Sequence, residues 1–246
     1  MKKIKIEILY ESQDILVINK PAGLITHPDG RKEEPSVSGW LAENYPKTAN
    51  VGEELRYQDG RVIDKPGIVH RLDRETSGAL VLALTQEAFI NLKAQFGERT
   101  VRKTYNAFLW GELKNDESKI DRPIGRSATD QRLWSAQRGA KGTMRDALTL
   151  YRVLWRGEGF SFVEVEPKTG RTHQIRVHFK AINYPVVSDK LYAPGRGEAL
   201  GFERTALHSR KVEIKSTAGE LISITAPYPR DFKRAMKSLG ILELPN

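Results

Sequence analysis

The sequence predicts an α+β fold built on a long, mixed but mainly antiparallel sheet, and three observations carry that expectation. Segments with strand-like alternation outnumber helical ones, they mostly follow one another without βα alternation, and no flexible linker divides the chain. At 246 residues, against roughly 150 per domain, the chain has room for one large domain or two small ones. One catalytic domain spanning 1–246 is expected, a pattern also compatible with two lobes.

The elements follow in order. Ile4, Ile6 and Ile8 alternate with Lys5 and Glu7 as a first strand, and Ile15 to Ile18 form a second that ends at the corner Pro21-Ala22-Gly23. Residues 26–67 are rich in Pro and Gly and read as a long surface excursion, with only Val37 to Tyr45 resembling a short helix. Ile68-Val69 and Gly78 to Leu84 are strand-like around a polar turn. Gln86 to Phe96 has helical spacing, with Thr85 as its N-cap. Further strands are expected at Lys103 to Trp110, Ala147 to Trp155, Phe160 to Glu166, Ala206 to Ile214 and Leu221 to Thr225. Helices are expected at Thr172 to Ile182 and Arg230 to Leu239, the latter as a docking helix.

Composition narrows function. Forty Lys and Arg against 31 Asp and Glu leave a net charge of +9, which favours a polyanionic partner through counterion release. With no cysteine, thiolate nucleophiles and Cys-based metal sites are excluded, and His, Asp and Glu are the remaining protein metal ligands. Apolar runs such as Ala79 to Leu84 fall far short of the ~18 residues of a membrane span, and the start has no apolar leader. A cytoplasmic monomer is expected.

Positive charge gathers in two places. Between Arg122 and Arg145, six basic residues, including Arg132 and Arg138, face one acid, Asp130, with Trp134 interleaved. That mixture suits RNA contact, the cations meeting phosphates and the indole offering a stacking surface. Lys168 to Lys180 has four cations, His173 and His178, and no carboxylate. On a helix, Ile175, Phe179 and Ile182 form a core stripe while His173, Arg176 and Lys180 share another. The like-charged Arg176 and Lys180, four apart, call for an acidic partner.

The densest cluster of reactive side chains is His70-Arg71-Leu72-Asp73-Arg74-Glu75-Thr76-Ser77-Gly78. Arginines on either side of Asp73 would favour its ionised form, and an ionised, positioned carboxylate can be nucleophile, base or metal ligand. By composition alone the segment reads first as a turn that Asp73 caps or pairs in structurally.

His70 to Gly78 resembles, at every position, the H-R-L-D-[RK]-x-T-S-G motif of the RluA-type pseudouridine synthases. Gly170 to His178 is similar to their second motif, G-R-T-H-Q-I-R-V-H. Lys103-Thr104-Tyr105 matches their K-x-Y element, Asn19 to Leu24 their N-K-P-x-G-[LM] turn, and Leu207-His208-Ser209 their L-H-[AS] strand. The resemblance implies a long mixed sheet bent around a basic cleft, and isomerisation of uridine to pseudouridine in ribosomal or transfer RNA without cofactor or metal. It implies Asp73 as the catalytic carboxylate, Tyr105 as a platform for the uracil, and Arg176 as the partner of Asp73. Arg71 would fill the gap left by the flipped nucleotide. Leu207 would pack near the base, and Arg171 and His173 would also contact substrate.

Two departures stand out. The family pattern P-[IVL]-x-G-D-x-x-Y-G runs here from Pro185 to Ala193, with Ser188 and Ala193 in the glycine positions, so the tight turn there is expected to differ. The chain is expected to begin at the first strand of the catalytic domain, without an S4-type module, which would leave more of the RNA selection to the basic loop. Two other readings stay open: a metal-dependent RNA phosphodiesterase using Asp73, His173 and His178, and a catalytically silent RNA-binding protein. The five-residue spacing of the two histidines does not suit a helical metal site.

Overall fold

The computed structural model describes residues 5–30, 34–53, 55–56, 60, 62–63, 65–130, 132–137 and 140–241. In chain order the elements are β1 (Glu7–Glu11), β2 (Ile15–Lys20), α1 (Val37–Asn44), a 3-10 helix (Pro46–Asn50), β3 (Leu55–Arg56), β4 (Val62–Ile63), β5 (Ser77–Ala83) and α2 (Gln86–Glu98). There follow β6 (Arg102–Trp110), β7 (Glu117–Asp121), β8 (Ile124–Arg126), β9 (Trp134–Ser135), β10 (Lys141–Arg145), β11 (Leu148–Gly157) and β12 (Phe160–Pro167). The last are α3 (Gln174–Ala181), β13 (Leu207–Lys215), β14 (Leu221–Thr225) and α4 (Arg230–Ser238).

The chain divides into two compact units, one of Met1–Arg102 with Ser209–Pro227 and one of Lys103–His208 with Tyr228–Asn246. In the first, β1, β2, β5, β13 and β14 lie side by side, with β1–β2, β2–β5 and β13–β14 antiparallel. Ile15 and Val17 of β2, Val81 and Ala83 of β5, and Val212 and Ile214 of β13 alternate onto the face that α2 covers with Phe89 and Leu92. Leu16, Ile18, Leu80 and Leu82 are equally buried on the opposite face, so these central strands read as continuous apolar runs. Helix α2 starts where predicted because the Thr85 hydroxyl accepts the Ala88 N–H at 3.2 Å. The predicted surface excursion carries α1, the 3-10 helix and the short β3–β4 pair, and the expected strand at Ile68-Val69 is a single bridge from Ile68 to Leu82.

The second unit pairs β6, β12, β11 and β7 in that order, all antiparallel. The stacked rings of Phe108 and Phe162 (4.5 Å between centroids), with Phe202 and Phe232, form an aromatic core onto which α4 docks. The basic segment between Arg122 and Arg145, expected as a loop or hairpin, contributes the strands of a small sheet, β10–β8–β9. Helix α3 begins at Gln174 rather than Thr172, because His173 adopts a left-handed conformation (φ +55°) that precedes the first helical turn.

Candidate active site

The segment bearing Asp73 is fixed at both sides. The Thr26 hydroxyl donates to the Leu72 carbonyl at 2.9 Å and accepts the Leu72 N–H at 3.2 Å. On the far side, the Arg74 carbonyl accepts from Gly23 N at 2.9 Å and from Lys20 Nζ at 3.1 Å. Lys20 is wholly buried and also donates to the Pro21 and Leu24 carbonyls, which satisfies a buried ammonium with three acceptors. The N-K-P-x-G turn therefore clamps the Asp73 loop, and Gly23 (φ +86°) supplies the corner. The Thr76 N–H closes a turn on the Asp73 carbonyl at 3.1 Å.

Gly78 ends this motif for a steric reason. At φ +109° a Cβ there would sit 2.1 Å from the Ser209 carbonyl oxygen, so only glycine lets β5 approach β13. His70 Nε2 accepts the Val81 N–H at 2.9 Å while its ring stacks on Phe96, which anchors the start of the loop to β5. Of the two arginines expected to hold Asp73 ionised, Arg74 turns to Glu34, with Nη2 2.9 and 2.8 Å from its carboxylate oxygens. Arg71 is exposed and near enough to His27 and Lys65 for their charges to interact.

The second motif divides its side chains between anchoring and chemistry. Gln174 and His178, one turn apart and buried, bind β11: Gln174 Nε2 donates to the Leu148 carbonyl and the Thr149 hydroxyl, both at 3.0 Å, and His178 Nδ1 lies 2.8 Å from that hydroxyl. His178 Nε2 reaches the Arg122 carbonyl at 2.9 Å. Burial, the largest influence, holds the His178 imidazole below its usual pKa. Both of its nitrogens are engaged, which leaves it no lone pair for a metal. Among the described residues no group of three or more His, Asp or Glu could hold one.

Arg176 is 5% exposed, and its guanidinium meets Asp189 through Nε–Oδ2 at 2.6 Å and Nη2–Oδ1 at 2.8 Å. Asp189 is an acidic partner of the kind that the charge pattern of α3 called for. Its Oδ1 also accepts the Leu191 and Tyr192 N–H groups at 3.0 Å, which folds the turn around it. The Tyr192 ring lies 5.0 Å from the Arg176 guanidinium, and its hydroxyl lies 2.9 Å from His173 Nδ1 and accepts the Trp134 N–H at 3.2 Å. Ser188, which stands where the family pattern has glycine, takes φ +57°, while its hydroxyl donates to Phe202 O at 2.9 Å and accepts from Ala199 N at 3.2 Å.

Tyr105 is buried in β6 opposite Val165, and Leu207, buried at the start of β13, has its carbonyl bound by Arg204 at 3.1 Å. Arg171 is half-buried, with Nε on the Asp146 carbonyl. In the small basic sheet, Arg126 lies 4.1 Å above the Trp134 ring, and Arg132 is bound to Asp130 at 2.7 Å. That bond holds the Asp130 carboxyl below the usual carboxylate range. Arg138 lies outside the described residues.

Sequence reasoning did not single out Thr26, Lys20, Tyr192 or the partnership of Asp189 with Arg176. Asp189 and Tyr192 were visible as members of the P-x-x-x-D-x-x-Y pattern. Thr26 carried no signal, since its partner lies 46 residues away.

Residues 14–181 match the family described as RNA pseudouridylate synthase. An uncharacterised RNA pseudouridine synthase of Synechocystis is 36% identical over 96% of this chain and 69% of its own length. The ribosomal large subunit pseudouridine synthase D of Pseudomonas aeruginosa is 36% identical over 93% of this chain and 70% of its own. The solved structure of human RNA pseudouridylate synthase domain containing 4 superposes with a TM-score of 0.75 at 25% identity, covering 98% of this chain and 95% of that one. The chain belongs to the RNA pseudouridylate synthase family.

Proposed function

We propose that the protein isomerises uridine to pseudouridine in ribosomal or transfer RNA in the cytoplasm, acts as a monomer, and uses Asp73 as its catalytic carboxylate. The observation that carries this reading is the two-sided clamp on the Asp73 loop. Thr26 on one flank, and Lys20 and Gly23 on the other, fix the backbone of one aspartate within a motif matched at every position. A catalytic group gains most from such fixing, because its position is set before the substrate arrives.

The reaction breaks the N1–C1′ bond, turns the uracil, forms a C5–C1′ bond, releases the C5 proton and places a proton on N1, with no net gain of water and no electron transfer. One carboxylate suffices, attacking C1′ or C6 or removing the 2′ proton. The target nucleotide must leave its stack first. Tyr105 supplies the aromatic face on which the uracil rests, and Arg71 occupies the vacated gap. Leu207 packs near the base. Arg171 and His173 contact the substrate, and Arg132, Trp134 and Arg138 meet flanking RNA. Arg176 supplies the cation of the site.

The test uses RNA tritiated at uridine C5. Wild-type protein is expected to release tritium, and Asp73→Asn to bind RNA but release none. Turnover by the pure variant above background overturns the assignment of Asp73. A wild-type protein that binds RNA without releasing tritium overturns the isomerase reading in favour of a silent binding protein.

A further inference from the structure

Helix α4 has two opposite faces. Phe232, Ala235 and Leu239 are buried, whereas Arg230, Lys233, Arg234 and Lys237 are all exposed. At ~100° per residue the four cations fall within an arc of about 100° and extend over about 10 Å of helix. Each is three or four residues from two others of the set, so the face holds four like-charge neighbour pairs, each costing an isolated helix a few tenths of a kcal/mol.

Several other exposed cations sit beside acids, among them Lys93 with Glu53, Arg132 with Asp130 and Lys190 with Glu198. On α4 the one acid, Asp231, points the other way and binds Arg204 at 2.7 Å. Among the described residues no carboxylate lies within ion-pair distance of the four cations, and Arg234 Nη2 donates only to the Gly201 carbonyl, at 3.2 Å.

We infer that this face of α4 is an RNA-binding surface that takes the phosphate backbone of a segment flanking the target uridine. The inference rests on the RNA reading above. The exposed arc carries no aromatic side chain, so it offers cations to phosphates and no platform to bases, which makes the contact sequence-tolerant. An anionic membrane is a poor fit, because the apolar side of α4 is already packed in the aromatic core and cannot enter a bilayer.

The experiment measures binding of the full chain to a 20-base-pair RNA duplex across a salt series. Arg230→Gln/Lys233→Gln/Lys237→Gln removes three charges from the surface and leaves Arg234 on Gly201. Each lost phosphate contact should flatten the slope of log K against log salt by about 0.7 to 0.9, so the triple variant should lose about two or more from the slope and about a hundredfold in affinity at 0.1 M salt. With a long ribosomal RNA transcript, the concentration giving half the maximal rate should rise while the saturated rate holds. Lys233→Arg/Lys237→Arg should retain the wild-type slope, which separates charge from damage to the helix. A triple variant with an unaltered slope overturns the inference, as does one that loses binding to phosphatidylserine vesicles but not to RNA. Wild-type binding without salt dependence would bring down the RNA reading as well, so the two failures are distinguishable.

Discussion

The guanidinium of Arg176 and the carboxylate of Asp189 face each other through two hydrogen bonds, of 2.6 and 2.8 Å, with both side chains almost fully removed from solvent. Such a fork is directional as well as charged. It fixes where the Arg176 cation points, and the Tyr192 ring against the guanidinium limits it further.

Removing Asp189 takes a buried, doubly hydrogen-bonded opposite charge away from Arg176, and breaking such a pair is worth about 3 to 5 kcal/mol. Asp189→Ala is therefore expected to lower stability by an amount of that order, read from urea unfolding. Asp189→Asn keeps an oxygen for the Leu191 and Tyr192 N–H groups and should cost less. Both variants should slow single-turnover isomerisation at saturating RNA. A wild-type rate in Asp189→Asn would show that the charge of Asp189 has no part in setting Arg176.

Much of this fold was legible in the sequence, and the limits have physical causes. Strands with sustained alternation, such as Leu221–Thr225, and the helix capped by Thr85 were found because local pattern decides them. Strand β7 was missed, since Glu117–Asp121 holds a single apolar residue, Ile120, and takes its place from pairing with β11. The start of α3 was misplaced by the left-handed His173, which periodicity does not register. Within the site, Asp73 and Arg176 stood out as members of dense motifs. Their supports, Thr26 and Asp189, act across 46 and 13 residues, where spacing carries no information.

Gly78→Ala should be among the most damaging small substitutions. The new methyl would meet the Ser209 carbonyl oxygen at 2.1 Å, and the residue would also be held at φ +109°. Backbone strain of this kind costs about 1 to 3 kcal/mol before the clash is relieved. Thermal unfolding should show a loss of at least that size, and an unchanged midpoint would mean that β5 and β13 are not so close.

Stability should fall as the medium is acidified below about pH 6.5. His178 is buried, and burial, outweighing the opposing pull of its bond to the Arg122 carbonyl, pushes its pKa down in the folded protein. His27 is lowered in the same way, by burial first and by Arg71 and Lys65 after it. The unfolded chain takes up protons near the ordinary value of ~6.5 while the folded chain does not, so falling pH favours unfolding from there down to the folded values. The contribution is complete above that range. Melting temperatures measured from pH 8 to 5.5 should show this slope, and His178→Gln should flatten it. A slope unaffected by that substitution would assign the acid sensitivity to other groups.

Arg71 offers the cleanest separation of catalysis from stability. It is exposed, near the His27 ring and the Lys65 ammonium, and among the described residues it forms no hydrogen bond or ion pair. Replacing it with Ala should therefore shift stability by no more than about 0.5 kcal/mol. If it fills the gap left by the extruded nucleotide, the same change should slow extrusion, which costs a few kcal/mol, and lower the saturated single-turnover rate by about a decade or more. A fluorescent base analogue beside the target should show a smaller or slower signal. The salt dependence of binding provides the contrast, since a phosphate contact flattens that slope by about 0.7 to 0.9 and leaves the saturated rate alone. Arg71→Ala with a flattened slope and an unaltered rate would place Arg71 among the backbone contacts.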